Sequence, residues 1–103
     1  MAVTIVNEPT DLEPDLVIDL ARRQVVLDGR AIDLTRIEFR LLYKLASDPQ
    51  RVFPRGELLR DVWGMPAGLD TRTLDSHVSR LRIKLGAGLV HNVRGVGYAL
   101  ARV

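Results

Sequence analysis

Over the first third of the chain, short apolar runs are broken by turn residues, and from residue 35 the pattern becomes helical. Leu16-Val17-Ile18-Asp19-Leu20, Gln24-Val25-Val26-Leu27 and Arg30–Leu34 are β-type runs, and Val3–Val6 reads as a further short strand. Asp28-Gly29, between the last two runs, signals a hairpin because both residue types tolerate positive φ. A small antiparallel sheet is expected at the N-terminus. Thr35-Arg36-Ile37-Glu38 then fits a capping box, in which the Thr35 hydroxyl and the Glu38 carboxylate each close an orphan N–H. Ile37, Leu41, Leu42 and Leu45 follow at helical spacing until Asp48-Pro49. A second helix is expected from near Pro54, with Leu58, Leu59 and Val62 inside, ending at Trp63-Gly64.

After a loop over Met65–Asp70, a third helix is capped by Asp70 or Thr71 and ended by Gly86. Its Leu74, Val78, Leu81 and Leu85 form one narrow stripe that must face a core. Arg72, Ser76, Ser79 and Arg80 fall on the opposite side, with Thr73 and Arg82 on the flanks and Ile83 also outside. A helix with one dry side and one side of arginines and hydroxyls suits a DNA major groove. His91-Asn92-Val93 and Tyr98-Ala99-Leu100 then flank Arg94-Gly95-Val96-Gly97, which predicts a glycine-tipped hairpin. An arginine on such a tip can enter a minor groove, whose negative potential favours it.

Charge strengthens this picture. The formal net charge is only +2, but it is strongly polarised. Residues 1–20 carry Glu8, Asp11, Glu13, Asp15 and Asp19 and no basic residue. Residues 71–103 carry Arg72, Arg80, Arg82, Lys84, Arg94 and Arg102 against Asp75 alone. A basic final third suits a polyanion, because neutralising phosphates releases counterions. The 103 residues suffice for one domain. We divide them into an acidic tail or linker over 1–15 and a folded domain over 16–103. Cysteine is absent, so disulfides, thiolate zinc sites and cysteine nucleophiles are excluded. No apolar run is long enough to span a bilayer, no signal peptide is visible, and a cytoplasmic protein is expected. His77 and His91 lie on different elements without further ligands, so no metal or other cofactor is expected. Neither a catalytic triad order nor a phosphate-binding loop is present, and no enzyme activity is expected. Trp63 and Tyr98 read as core anchors.

Four segments together carry a family resemblance. Leu34–Leu42, Val52–Leu59 with Val62-Trp63-Gly64, Asp70–Arg82 and Val93–Tyr98 resemble, in order and near-normal spacing, the OmpR/PhoB-type winged-helix domains of bacterial response regulators. The resemblance runs from about Leu16 to the C-terminus. It implies an α+β winged helix-turn-helix fold: an N-terminal antiparallel sheet of four strands, a three-helix bundle and a C-terminal β-hairpin wing. It also implies sequence-specific binding of double-stranded DNA in transcriptional regulation. On matching positions, Arg72 and Thr73 would contact phosphates. Asp75, His77, Ser79 and Arg80 would lie at or near base edges, beside Ser76. Arg82 and Lys84 would complete the basic helix, with Arg82 supporting the phosphate contacts, and Arg94 would be the minor-groove residue. The Met65–Asp70 loop matches the segment that in some members touches RNA polymerase. The family pattern further implies a monomer in solution that pairs on tandem half-sites. Three departures stand out: a short Gly86-Ala87-Gly88 connection, Ile83 at a commonly basic position, and Ser76 at a commonly apolar one.

Nothing upstream of Leu16 is long enough for a receiver domain. Either the chain is an excised effector domain, or it is a small regulator controlled by abundance or a partner rather than by phosphorylation. The competing reading is a protein-interaction module contacting RNA polymerase or another regulator through Ile83 and the Met65–Leu69 loop.

Overall fold

The computed structural model describes residues 3–6, 16–64, 72–86 and 88–100. The Asp70 or Thr71 cap and the Met65–Asp70 loop lie outside these residues. Among the described residues, seven short strands and three helices follow the expected order: a sheet, the helices, then a hairpin.

Strands β2 (Leu16–Asp19), β3 (Gln24–Leu27) and β4 (Arg30–Ile32) form the antiparallel meander that the apolar runs predict. Asp28 and Gly29, with φ of 51° and 81°, make the hairpin turn. Strand β1 (Val3–Val6) completes a four-stranded sheet by pairing with β2 in parallel. The meander alternates: Leu16, Ile18, Val25 and Leu27 are buried, whereas Val17 and Val26 are half-buried. One face thus lies against the helices.

Helix α1 (Arg36–Ala46) begins with the predicted capping box. The Thr35 N–H donates to Glu38 Oε1 at 2.9 Å, and the Glu38 N–H donates to Thr35 Oγ1 at 3.2 Å. It ends two residues before Asp48, where the Ser47 hydroxyl takes up the Lys44 carbonyl at 2.6 Å. Leu41, Leu42 and Leu45 are fully buried. The second helix starts one residue after Pro54 and has two parts. A single α-turn, α2 (Arg55–Leu58), runs directly into a π-helical turn, Leu59–Trp63. Gly64, in the left-handed region at φ 74°, stops it as expected. Helix α3 (Arg72–Leu85) buries the predicted stripe of Leu74, Val78, Leu81 and Leu85, and Gly86 at φ 101° ends it.

The final hairpin pairs β6 (Val90–Val93) with β7 (Gly97–Leu100) around a turn at Arg94-Gly95-Val96. A third strand, β5 (Phe53–Pro54), joins the free edge of β7, so the order is β5-β7-β6. The hairpin is thereby stitched to the residues that launch the second helix. One core runs through sheet, helices and hairpin, and includes Phe53, Leu89, Val90, Tyr98 and Leu100.

Candidate nucleic-acid interface

Two projecting elements carry the predicted site residues. On α3, Arg72, Ser76, Ser79 and Arg80 are exposed, and Thr73, Asp75, His77 and Arg82 are half-buried. This is the division the helical period requires when the leucine stripe is buried. Arg94 is exposed at the hairpin turn, next to Gly95 at φ 78°. Ile83 is 83% exposed on the outer side of α3.

Several of these side chains also hold the scaffold together. Asp75, in the first turn of α3, accepts a hydrogen bond from the Tyr98 hydroxyl at 2.6 Å and is paired with Arg55. Burial disfavours its charge, but Tyr98 and Arg55 outweigh burial and hold the carboxyl below its usual range. The Arg55 guanidinium lies 5.1 Å from the Tyr98 ring centroid, a cation–π contact. Arg82 directs Nε and one terminal nitrogen onto the Val90 carbonyl at 3.1 and 3.0 Å. Helix and wing are therefore tied at two heights: by Asp75–Tyr98 near the start of α3, and by Arg82–Val90 about two turns later.

Lys84 reaches Glu38 Oε1 at 2.6 Å. Glu38 is 1% exposed, so a single carboxylate closes the α1 cap and also anchors the far end of α3. Burial raises its pKa, but Lys84 and the Thr35 N–H together bring it below the ordinary carboxylate value. His77 is fixed by the Thr73 carbonyl, 2.8 Å from Nδ1, and by an edge-on contact with Trp63 at 5.2 Å between ring centroids. A carbonyl can only accept, so Nδ1 carries the proton and Nε2 is the remaining ring nitrogen.

Three groups outside the predicted site complete its support. Arg55 N–H donates to the Val96 carbonyl at 3.2 Å, binding the hairpin turn to α2. Gly97 is packed so closely that a Cβ there would lie 1.8 Å from the Phe53 carbonyl oxygen. The second helix is braced by Lys44–Asp61 at 2.9 Å and by a two-pronged Arg51–Glu57 pair at 2.9 and 2.8 Å. The glycine-rich run Arg94–Gly97 signalled a turn. Only the strand partner reveals that Gly97 also answers a steric demand. Among the described residues, no group of three His, Asp or Glu side chains converges as a metal site, and no helix is long and apolar enough to cross a membrane.

A helix whose polar face stands out beside an arginine-tipped hairpin, both seated on a three-helix core, defines the winged-helix class. Residues 29–100 match the family model described as transcriptional regulatory protein, C terminal. The chain belongs to that family and is of the OmpR/PhoB type. It is 50% identical over 86 residues to the transcriptional regulatory protein VxrB of Vibrio cholerae, covering 84% of this chain and 35% of VxrB. The chain thus spans about a third of that relative's length. The Klebsiella pneumoniae RstA DNA-binding domain, solved in complex with the RstA box, superposes with a TM-score of 0.80 at 31% identity, covering 91% of this chain and 98% of that one. The DNA-binding domain of the response regulator AdeR, in complex with an intercistronic region, gives 0.76 at 34% identity, covering 91% and 100%.

Proposed function

We propose that this domain binds double-stranded DNA sequence-specifically to regulate transcription, with α3 in the major groove and the wing in the adjacent minor groove. The observation that carries this reading is the pairing of two exposed cationic prongs, Arg80 on α3 and Arg94 on the wing, on a scaffold that fixes one against the other. The likeness to the RstA and AdeR domains, both bound to DNA, supports it. In this arrangement Ser76, Ser79, Arg80 and the Nε2 atom of His77 face base edges, and Arg72 and Thr73 meet phosphates near the start of the helix. Arginine on guanine supplies the strongest discrimination of these contacts. Asp75, Arg82 and Lys84 act chiefly by holding the reader in place, through the partners described above. The domain performs no catalysis in this scheme. It is monomeric in solution and pairs on tandem half-sites.

A selected duplex bound by the wild-type chain provides the test. The double variant Arg80→Ala, Arg94→Ala should lose its footprint, and binding by the wild type should weaken steeply with salt. Unchanged affinity in the double variant would overturn the reading.

A further inference from the structure

Lys44, Arg51, Arg55, Arg60 and Lys84 each face a carboxylate within the chain. Arg23, Arg36 and Arg40 have no such partner among the described residues. Their placement is not that of the DNA prongs. Arg36, Arg40 and Tyr43 of α1 and its C-cap Ser47 recur at i, i+4, i+7 and i+11, and all four are exposed, so they form one stripe. Glu38, which reaches across to Lys84 of α3, sits roughly 160–200° around α1 from Arg36 and Arg40, at about 100° per residue. The stripe therefore looks away from the reading helix.

Two depressions lie along it. One, of about 370 Å³, is lined by Leu20, Arg23, Arg36, Phe39 and Arg40. The other, of about 360 Å³, is lined by Arg40, Tyr43, Lys44, Ser47, Asp61 and Val62. Arg40 lines both, so the two depressions adjoin across its side chain and together make a trough along α1 that is divided at Arg40. Its lining includes the apolar side chains of Leu20, Phe39 and Val62, and its rim at one end is three guanidinium groups.

We propose that this trough docks an acidic peptide segment of a partner protein while DNA occupies the opposite face. Carboxylates one helical turn apart would match Arg36 and Arg40, whose i, i+4 spacing places them on adjacent turns. Guanidinium forks bind carboxylates in two-pronged geometry. An aromatic or long aliphatic side chain of the partner would rest on Leu20 and Phe39. A nucleic-acid backbone fits less well, because it would leave the apolar surface of Leu20, Phe39 and Val62 unused and would meet the Asp61 carboxylate in the lining.

The test uses the full chain and a fluorescein-labelled twelve-residue peptide carrying one phenylalanine and four glutamates spaced four apart in pairs. At low salt, anisotropy should show saturable binding, and NMR shifts should centre on Arg23, Arg36, Phe39 and Arg40. The double variant Arg36→Ala, Arg40→Ala should bind the peptide roughly tenfold more weakly, two exposed ion pairs being lost. Its unfolding midpoint and DNA affinity should stay unchanged. The same peptide with glutamine for glutamate should not bind. Equal affinity in the double variant, shifts centred on Arg80 and Arg94, displacement from α1 by a random duplex, or equal binding of a peptide lacking phenylalanine would each overturn the proposal.

Discussion

Replacing Gly97 with alanine tests whether main-chain contact sets the seat of the wing. The added Cβ would stand 1.8 Å from the Phe53 carbonyl oxygen, 2.8 Å from its carbon and 3.1 Å from Pro54 Cα. A carbon and a carbonyl oxygen settle no closer than about 3.3 Å, so β5 and β7 must part by roughly 1.5 Å. All three obstructing atoms are backbone, and no rotamer change relieves them. Parting the strands also strains the Phe53–Tyr98 pairing and the Arg55 N–H bond to Val96. Overpacking of this kind costs about 1–3 kcal/mol, and each lost main-chain bond about 1 kcal/mol more. Alanine restricts the unfolded chain and returns about 0.4–1 kcal/mol. The net cost is about 3 kcal/mol, which lowers the unfolding midpoint by about 12–20 °C in a domain of this size. Circular dichroism melts would read this directly. Operator binding, measured well below the variant's midpoint, should lose mainly the wing's contribution, so that adding Arg94→Ala changes little. A midpoint shift under about 3 °C, or an undiminished effect of Arg94→Ala in the Gly97→Ala background, would refute the reasoning.

Other consequences follow from the internal ion pairs. The Glu38 carboxyl is held below its usual pKa, so its ionised form stabilises the fold above about pH 4, and that contribution is lost as the pH falls further. Glu38→Gln should therefore flatten the acid limb of a stability–pH curve, and a curve parallel to the wild type would count against the pairing. Lys84→Ala leaves that buried carboxylate without its cation and should cost about 1–2 kcal/mol in urea denaturation. This is below the full penalty for breaking a buried pair, because Lys84 remains about a third exposed. Arg55→Ala should bare the Asp75 charge on the reading helix and weaken DNA binding in fluorescence titrations. Adding Asp75→Asn should recover most of that loss, and no recovery would show that Arg55 acts by another route.

The parts of this fold that sequence reveals are those decided within one or two turns of chain. Thr35 and Glu38 are three residues apart, and their reciprocal bonds form as the pattern requires. The α3 stripe is equally local, which is why its buried and exposed residues fall where the period puts them. Other features depend on distant partners. β5 is two residues long, one of them proline, and acquires meaning only beside β7. Glu38 reads as a cap because its second role requires Lys84, 46 residues away. The parallel partnership of β1 with β2 has no local signature, since a strand run does not state the direction of its neighbour. Arg82 lay on a helix flank, and the Val90 carbonyl claims its guanidinium.

An aspartate in the first turn of a helix meant for a polyanion invites explanation. Left open, it would repel phosphates at the end of α3 where the helix dipole most favours them. Here its charge is turned to the scaffold: Arg55 and Tyr98 hold it, and through Tyr98 it fastens the wing. Arg82 and Lys84 are likewise engaged, by Val90 and Glu38. On the proposed reading, the basic final third of the chain thus divides between cations engaged by the scaffold, Arg82 and Lys84, and exposed cations that face DNA, Arg80 and Arg94 among them. Non-specific attraction grows with the number of phosphates neutralised, whereas discrimination comes from a few well-aimed contacts at base edges. Pairing Lys84 with Glu38 and Arg55 with Asp75 offsets two positive charges within the domain, which on the proposed reading lowers its indiscriminate pull on DNA, while Arg82 on the Val90 carbonyl rigidifies the frame that carries Arg80 and Arg94.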